Sequence, residues 1–380
     1  MNAGLPACLV IAGGGTGGHL MPGLAVAHEL RARGVGRIIF AGTERGLETR
    51  LVPAAGFELV TVEVGGLKNV GWRRQAETLA SLPRAVLQSK QLLESSRAAA
   101  VLGIGGYASG PMLAAARWRR VPLVLLEINT RPGLANRLAG GWARSTAVAF
   151  AEAAPYFPRS VLTGLPVRAE FLAPAPPAAA AADAPLRLLS FGGGQGARAI
   201  NYAVLGLAAL WGDSPAPREI LHQTGAREWD AMREAYARLP GGCQAEDGGL
   251  HYRRGGLDLR AVPFIERMAE AMQRAEIVVC RSGAGTLAEL AALGRPAVLI
   301  PFPAAADQHQ LHNARALAQA GAAQILPQDQ LTPQALETQL LELHAHPERR
   351  TAMSAVLRSL AHPDATRRIA DLVLAAARPQ

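Results

Sequence analysis

The sequence contains one pattern twice: a short apolar strand breaks into a glycine-rich loop, and helical spacing of apolar residues follows. The first copy is the run 8–12 with the loop 13–19, and the second is the run 186–191 with the loop 192–197. A strand that enters a helix through glycine is typical of a βα unit in a parallel sheet. About one domain length separates the two copies. The pattern therefore predicts two similar α/β domains in tandem.

Length and the rest of the chain favour the same division. The 380 residues exceed the usual size of one domain, and short apolar runs alternate with helical stretches throughout. A low-complexity stretch, 173–185, is predicted to be an exposed connection near the boundary. We expect an N-terminal domain over residues 1–163 and a C-terminal domain over 164–363, with a last helix, 364–380, packing back on the first. Two such domains normally face each other across a cleft formed by the carboxyl ends of their strands.

The charge predicts an anionic partner. The formal net charge is +9, which suits phosphate, nucleic acid or an acidic membrane, and composition does not choose among them. No apolar run approaches the length that spans a bilayer. The segment 67–93 combines an apolar helical face with Lys68, Trp72, Arg73 and Arg74. We expect these four residues to contact an anionic membrane, the alternative being a solvated helix whose apolar stripe packs on the sheet.

A third glycine loop, 281–286, follows the apolar run 275–280. The first loop fits GxGxxG and the other two fit GxGxxA. Backbone N–H groups without a neighbouring Cβ, at the start of a helix, predict phosphate binding. A dinucleotide cofactor would require an acid at the end of the second strand, and Glu44 lies late for that role. The absence of GxxxxGK[ST] argues against a P-loop nucleoside triphosphatase.

Two single residues stand out beside these loops. Glu289 lies one helical turn beyond Thr286, where it is predicted to reach ribose hydroxyls, although an ordinary solvated helix carboxylate would look the same. His19 directly follows the first loop and is a candidate general base. The alternative for His19 is a side chain that packs or caps beneath the loop.

Taken together, the motifs resemble one family. They occur in the family's order and cover nearly the whole chain, as GGTGGH at 14–19 with PGLA at 22–25, GGYASGP at 105–111, GGQGAR at 193–198, HQTG at 222–225 and CRSGA at 280–284. The chain resembles the bacterial N-acetylglucosaminyltransferases, of the glycosyltransferase family 28 type, that convert lipid I to lipid II. This implies the GT-B fold, with two Rossmann-like domains and parallel sheets facing a central cleft.

The resemblance also implies the reaction and its partners. N-acetylglucosamine would pass from UDP-N-acetylglucosamine, with inversion, to the C4 hydroxyl of the muramoyl sugar of undecaprenyl-pyrophosphoryl-MurNAc-pentapeptide, in peptidoglycan synthesis. The protein would be peripheral, at the cytoplasmic face of the cell membrane, with lipid I and an anionic membrane surface as partners and no nucleic acid. No metal-ligand spacing such as HxxxH or DxD stands at a plausible site, and we expect no cofactor.

Site residues carry over position by position from the resemblance. The implied acceptor residues are Gly14, Gly15, Gly105, Gly106 and Tyr107. His19 is the first candidate for the base and Glu127 the second. The implied donor residues come from both domains: Thr16, Gly17, Gly18, Asn129, Asn136, Arg168, Gly194, Gln195, Ile265, Met268, Ser282, Gly283, Ala284, Gly285, Thr286, Glu289, His309 and Gln310. Among them Ile265 would offer backbone to uracil, Glu289 would hold the ribose, and His309 and Gln310 would meet the sugar hydroxyls.

The sequence departs from the family pattern at a few of these positions. The run Leu126-Glu127-Ile128-Asn129 replaces the family's His-Glu-Gln-Asn, while Gly194 replaces a serine, Leu165 an asparagine and His309 a glutamine. Two alternatives stay open: another GT-B transferase with a lipid or small-molecule acceptor, and a non-catalytic subunit that binds nucleotide sugars. The second explains the altered acceptor run but not the phosphate loops in both domains.

Overall fold

The computed structural model describes residues 5–14, 17–44, 46–62, 72–173 and 185–378, without the side chains of 72–79. The chain divides into two compact units, one formed by Met1–Arg168 with His362–Gln380 and the other by Ala169–Ala361. The first unit extends beyond residue 163 because the N–H groups of Thr163 and Gly164 both donate to the carbonyl of Val148. Most of the low-complexity stretch 173–185 lies outside the described residues.

Strands and helices alternate along most of the chain. The strands are β1 Cys8–Gly13, β2 Arg37–Gly42, β3 Glu58–Thr61, β4 Ala100–Gly105, β5 Leu123–Glu127, β6 Ser145–Val148, β7 Ser160–Leu162, β8 Leu186–Phe191, β9 Arg218–Gln223, β10 Gln244–Glu246, β11 Gly249–Arg254, β12 Leu257–Val262, β13 Ile277–Cys280, β14 Ala297–Leu299 and β15 Gln324–Ile325. The α-helices are α1 Gly17–Ala32, α2 Glu48–Ala54, α3 Trp72–Ser96, α4 Gly110–Arg119, α5 Leu134–Ala139, α6 Arg198–Trp211, α7 Trp229–Ala237, α8 Met268–Arg274, α9 Ala284–Leu293, α10 His309–Gln319, α11 Pro333–Ala345, α12 Pro347–Ser359 and α13 Ala365–Ala377. Short 3-10 turns cover Tyr107–Ser109, Ala151–Tyr156, Ala169–Phe171, Ala306–Gln308 and Gln328–Gln330.

The first unit is a parallel sheet in the order β3-β2-β1-β4-β5-β6-β7. Every residue of β1 and of β4 is buried, as expected for central strands covered on both faces. The strand order reverses between β1 and β4. In open α/β sheets this switch point is where ligands bind, at the carboxyl ends of the strands.

The last helix completes the first unit. α13 packs on α1 and on strands β4, β5 and β6, and it buries Ile369, Ala370 and Val373 in doing so. At its surface, Arg33 Nη1 donates to Asp371 Oδ1 over 2.5 Å. The C-terminal segment therefore belongs to the N-terminal sheet.

The second unit contains a mixed sheet in the order β10-β11-β12-β9-β8-β13-β14-β15. Strands β12, β9, β8, β13, β14 and β15 run parallel, and the switch point lies between β8 and β13. The antiparallel ladder of β10, β11 and β12 extends one edge, and the sequence pattern did not predict it. Large buried side chains, Trp211, Tyr236 and Tyr252 among them, fill the core under this edge.

A parallel sheet in the first unit and a largely parallel sheet in the second, each with helices between its strands, agree with the predicted α/β class. None of the helices in the described part of the chain combines the length and apolar character needed to cross a bilayer.

Candidate functional site

The first glycine loop and the loop after β4 meet at the switch point of the first unit. Gly13 pairs with Gly105 in the sheet register. Gly105 has φ +90°, and a Cβ added there would lie 3.1 Å from Asn136 Nδ2 and 3.5 Å from His19 Cδ2. His19 is half-buried. Two of the predicted residues, His19 and Asn136, therefore line the same glycine.

Other predicted residues of this unit lie around the same loops or outside the described residues. Gly15, Thr16 and Lys68 are outside them, and Trp72, Arg73 and Arg74 belong to α3 without described side chains. Gly14 is buried, whereas Gly17 and Gly18 form the start of α1. Gly106 has φ +77° and precedes Tyr107, whose side chain is 45% exposed.

Glu127 is buried and hydrogen-bonded, with only 2% of its surface exposed. Its Oε1 accepts the N–H of Asn129 at 3.0 Å, and its Oε2 accepts the N–H of Gly133 at 3.2 Å and Asn136 Nδ2 at 3.0 Å. Burial raises the pKa of Glu127 to about 7, although these N–H donors favour the carboxylate. The side chain fixes the segment after β5.

One side-chain oxygen of Asn136 has no hydrogen-bond partner among the described residues. Nδ2 of the same side chain also donates to the carbonyl of Leu126 at 3.0 Å, while this oxygen, Oδ1, is buried. A buried acceptor without a donor costs free energy, so native structures usually give it a partner or a ligand. Asn136 Oδ1 is thus positioned to accept a hydrogen bond.

The acid whose carboxylate packs against the end of β2 is Glu48, the first residue of α2, rather than Glu44. Glu44 is exposed, whereas Glu48 is fully buried and its Oε1 accepts both the N–H and the hydroxyl of Thr43, at 2.9 and 2.7 Å. A buried carboxylate engaged in this way does not present an acceptor to a ribose hydroxyl. The geometry therefore opposes a dinucleotide cofactor at the first loop.

In the second unit, the second and third loops flank the switch point between β8 and β13. Gly196 has φ +81°, and a Cβ there would overlap the carbonyl oxygen of Thr224, so only glycine allows this approach. Gly194 is exposed, with nothing within 4 Å of an added Cβ, and Gln195 beside it is also exposed. The position that lost the family's serine is therefore open to a ligand.

The third loop forms the start of α9. Gly283 is the N-cap, so the N–H groups of Ala284, Gly285 and Thr286 lie in the first turn, where no helical partner exists for them. Added Cβ atoms at Gly283 and Gly285 would meet nothing within 4 Å. The N–H groups and the helix end thus form an open anion site. Glu289 is half-buried one turn further on.

Gln223, at the end of β9, connects two loops and was missed by the sequence analysis. Its Nε2 donates to the carbonyl of Gly193 at 3.1 Å, and its Oε1 accepts the N–H of Ile265 at 2.8 Å. A backbone contact from Ile265 to a base would therefore use its carbonyl, or require Gln223 to move. Met268 is buried at the start of α8, while Phe264 beside Ile265 is 58% exposed.

A buried histidine stabilises the same loops. His222 Nε2 lies 3.1 Å from Asn201 Oδ1, and Nδ1 lies 2.8 Å from the hydroxyl of Tyr236. Burial lowers the pKa of His222 to about 3, so the ring is neutral and donates from Nε2. Asn201 in turn donates to the carbonyl of Thr224 at 2.9 Å. The HQTG motif thus has a structural role that its sequence did not reveal.

The predicted sugar residues begin α10. Gln310 Oε1 accepts the N–H of Phe302 at 3.0 Å, and the Gln310 carbonyl accepts the Ser282 hydroxyl at 2.8 Å. His309 Nδ1 donates to the carbonyl of Ala306 at 2.7 Å, which makes Nε2 an acceptor in the neutral ring. Before them, Asp307 and Gln308 both have φ +51°, and such strain in non-glycine residues concentrates at functional sites.

Two arginines lie near these elements: Arg281 in the third loop, and Arg168 where the first unit ends. Arg281 donates from Nη1 to the carbonyl of Ile300 and from Nη2 to Gln328 Oε1, at 3.1 and 2.7 Å. Burial lowers the pKa of Arg281 to about 10, so it stays charged at neutral pH. Arg168 is exposed at the end of the first unit.

Comparisons with known proteins agree with this architecture. The model of the glycosyltransferase family 28 N-terminal domain matches residues 9–148, and that of the C-terminal domain matches 187–369. The crystal structure of Acinetobacter baumannii MurG superposes with a TM-score of 0.78, at 30% identity, over 97% of this chain and 99% of that one.

Curated relatives match over nearly the full length. The UDP-N-acetylglucosamine–N-acetylmuramyl-(pentapeptide) pyrophosphoryl-undecaprenol N-acetylglucosamine transferase of Syntrophotalea carbinolica is 44% identical, over 95% of this chain and 96% of the relative. The protein of the same name from Solibacter usitatus is 41% identical, over 98% and 97%. The chain therefore belongs to glycosyltransferase family 28 and, within it, to the family of these N-acetylglucosamine transferases.

Proposed function

We propose that this protein transfers N-acetylglucosamine from UDP-N-acetylglucosamine to the C4 hydroxyl of the muramoyl sugar of lipid I, giving lipid II in peptidoglycan synthesis. The observation that carries the proposal is the 41–44% identity over nearly the whole chain to relatives that bear this activity in their names. Both halves of the reaction have a candidate site, since each unit has glycine loops at the switch point of its sheet.

The donor nucleotide binds at the second unit. The diphosphate lies at the start of α9, against the N–H groups of Ala284, Gly285 and Thr286. As UDP leaves, negative charge grows on its outer phosphate, and fixed N–H dipoles stabilise that charge without reorganising. Glu289 accepts from the ribose hydroxyls, Ile265 and Met268 flank the uracil, and Gln310 and His309 meet the sugar.

The acceptor hydroxyl is deprotonated in the first unit, and His19 is the better candidate for the base. A base must reach the proton that it removes. His19 is half-buried beside Gly105, whereas Glu127 is 2% exposed with both oxygens occupied by N–H donors. The resemblance placed Asn136 among the donor residues; because its Oδ1 has no described partner and it lies with His19 beside Gly105, we assign it instead to the acceptor sugar. Glu127 then positions Asn136 through a hydrogen bond and does not remove the proton of the acceptor hydroxyl.

The protein approaches the membrane through a basic and aromatic surface of the first unit. α3, which begins with Trp72, packs on α4. At this contact, Nζ of Lys90 on α3 lies 4.7 Å from the ring centroid of Trp118 on α4. Trp118 is 59% exposed. Beside it a cavity of about 280 Å³ is lined by Arg117, Arg120 and Arg144. Cations beside exposed indoles suit an anionic lipid surface.

The reaction itself is tested with a panel of acceptors. Labelled UDP-N-acetylglucosamine and lipid I should give UDP and a disaccharide-linked lipid, detected by mass spectrometry. Transfer only to acceptors without a muramoyl sugar would favour the other GT-B transferase. Binding of the donor without transfer to any acceptor would favour the non-catalytic subunit.

Glu289→Ala should weaken UDP binding by about 1–3 kcal/mol, the range for a hydrogen bond to a charged group. Calorimetry with 2′- and 3′-deoxy-UDP sharpens the test. If a ribose hydroxyl donates to Glu289, removing that hydroxyl should weaken binding to the wild type but should not weaken binding to the mutant further. Glu270→Ala, an exposed acid on α8, is the control. If both deoxy nucleotides lose as much affinity in the mutant as in the wild type, Glu289 does not bind the ribose.

His19→Ala should lower kcat by about 10²–10⁴-fold and leave UDP affinity unchanged, because the nucleotide binds the other unit. A pH profile alone does not identify the base, since the pKa of Glu127, about 7, lies close to the ordinary value of about 6.5 for a histidine. The temperature dependence of the apparent pKa does, because imidazolium ionises with a large enthalpy and a carboxylic acid with almost none. A temperature-independent pKa, with activity retained in His19→Ala, would assign the proton to Glu127.

Replacing Arg117, Arg120 and Arg144 with glutamine should weaken binding to phosphatidylglycerol vesicles by on the order of 10²-fold, at about 1 kcal/mol per arginine. Replacing Lys68, Trp72, Arg73 and Arg74 should act in the same direction, and added salt should weaken the wild type. The control exchanges three exposed arginines of the second unit, Arg227, Arg233 and Arg238. Equal sedimentation of all variants with vesicles would exclude this surface.

A further inference from the structure

The buried carboxylate of Glu48 has no role in the chemistry described so far. Glu48 is the first residue of α2 and its side chain is fully buried. Its Oε1 accepts two hydrogen bonds from Thr43, the residue that follows β2. Burying a carboxylate is costly unless hydrogen bonds compensate it. Thr43 supplies such hydrogen bonds, so the carboxylate is held in one place at the carboxyl edge of the sheet.

Three glycines make room for this carboxylate. A Cβ added to Gly14 would lie 2.5 Å from Glu48 Oε1, one on Gly42 would lie 2.7 Å from Glu48 Cγ, and one on Gly46 would overlap both carboxyl oxygens. Neither Gly14 nor Gly42 has a positive φ, so backbone conformation does not call for glycine at those two positions. The Glu48 side chain occupies the space that their Cβ atoms would take.

Gly14 lies against the loop that follows β4. Gly13 beside it pairs with Gly105, and a Cβ added to Gly106 would lie 3.1 Å from the carbonyl oxygen of Gly14. His19 packs beside Gly105. A shift of Gly14 away from the carboxylate of Glu48 would therefore disturb the glycine pair that His19 packs against.

We propose that Glu48 is a positioning residue: its carboxylate, which lies among Gly14, Gly42 and Gly46 and is hydrogen-bonded to Thr43, holds Gly14 against the loop after β4 and thereby sets the position of His19 beside Gly105. This inference rests on the proposed transfer reaction. It assigns Glu48 no contact with either substrate.

Single substitutions at Glu48 give the first test. Glu48→Ala should lower kcat/KM for the acceptor by about 10²-fold, the cost of a misplacement of about 1 Å. The Kd for UDP should stay within about twofold, since distant sites act independently. Glu48→Gln keeps the volume and the Oε1 acceptor, and should recover most of the activity. Wild-type kcat/KM in Glu48→Ala, or an equal loss in Glu48→Gln and Glu48→Ala, would overturn the proposal.

The glycine contact gives the second test, which a merely structural role would not pass. Gly14→Ala should impair acceptor kcat/KM as strongly as Glu48→Ala, because its Cβ displaces the carboxylate. Gly14→Ala with Glu48→Asp should recover about tenfold or more, since the shorter acid withdraws from the added methyl group. Gly36→Ala, at an exposed glycine whose added Cβ meets only an ordinary contact, is the control and should stay active.

The outcomes separate this inference from the proposed function. A wild-type protein that fails to transfer N-acetylglucosamine contradicts the proposed function. An active wild type whose Gly14→Ala defect is not relieved by Glu48→Asp contradicts the role of Glu48 alone. Should Glu48→Ala fail to fold, the role of Glu48 is decided by two other results: the activity of Glu48→Gln, and the activity of Gly14→Ala with and without Glu48→Asp.

Discussion

Both units depend on one geometric constraint: in a parallel sheet every strand ends on the same edge, and connections leave to opposite sides where the strand order reverses. The loops after β1 and β4 meet at this point in the first unit, and those after β8 and β13 in the second. Backbone N–H groups and polar side chains distant in sequence converge there. The candidate chemistry of each unit follows from this convergence.

Glycine performs different tasks within loops that look alike in sequence. Gly196 allows a carbonyl oxygen to approach, Gly14 leaves room for a buried carboxylate, and Gly283 and Gly285 keep the end of α9 open. Only the last of these tasks leaves the first turn of a helix open, which is what binding of a diphosphate would require. The GxGxxG pattern of the first loop is therefore weak evidence for phosphate by itself.

Burial decides the protonation of the titratable groups around the sites. His222 is held neutral and serves as a fixed donor and acceptor, whereas Glu127, with three N–H donors against its desolvation, has a pKa of about 7. The pKa of Glu127 alone would suit a catalytic base. Its burial and its hydrogen bonds, however, leave neither carboxylate oxygen available to a substrate proton. Accessibility to the reacting proton, rather than the pKa, favours His19.

The sequence by itself determined the two α/β halves, the strands that precede the glycine loops and the loops themselves, because apolar periodicity and glycine spacing are local properties. The run 186–191 matches β8 residue for residue, and the family motifs identified the transferase family. The antiparallel strands β10 and β11, and the partners of Glu48, Gln223 and His222, were decided only by the tertiary structure. Those contacts join residues that no periodicity relates, since strand order and burial set which side chains meet at the edge of a sheet.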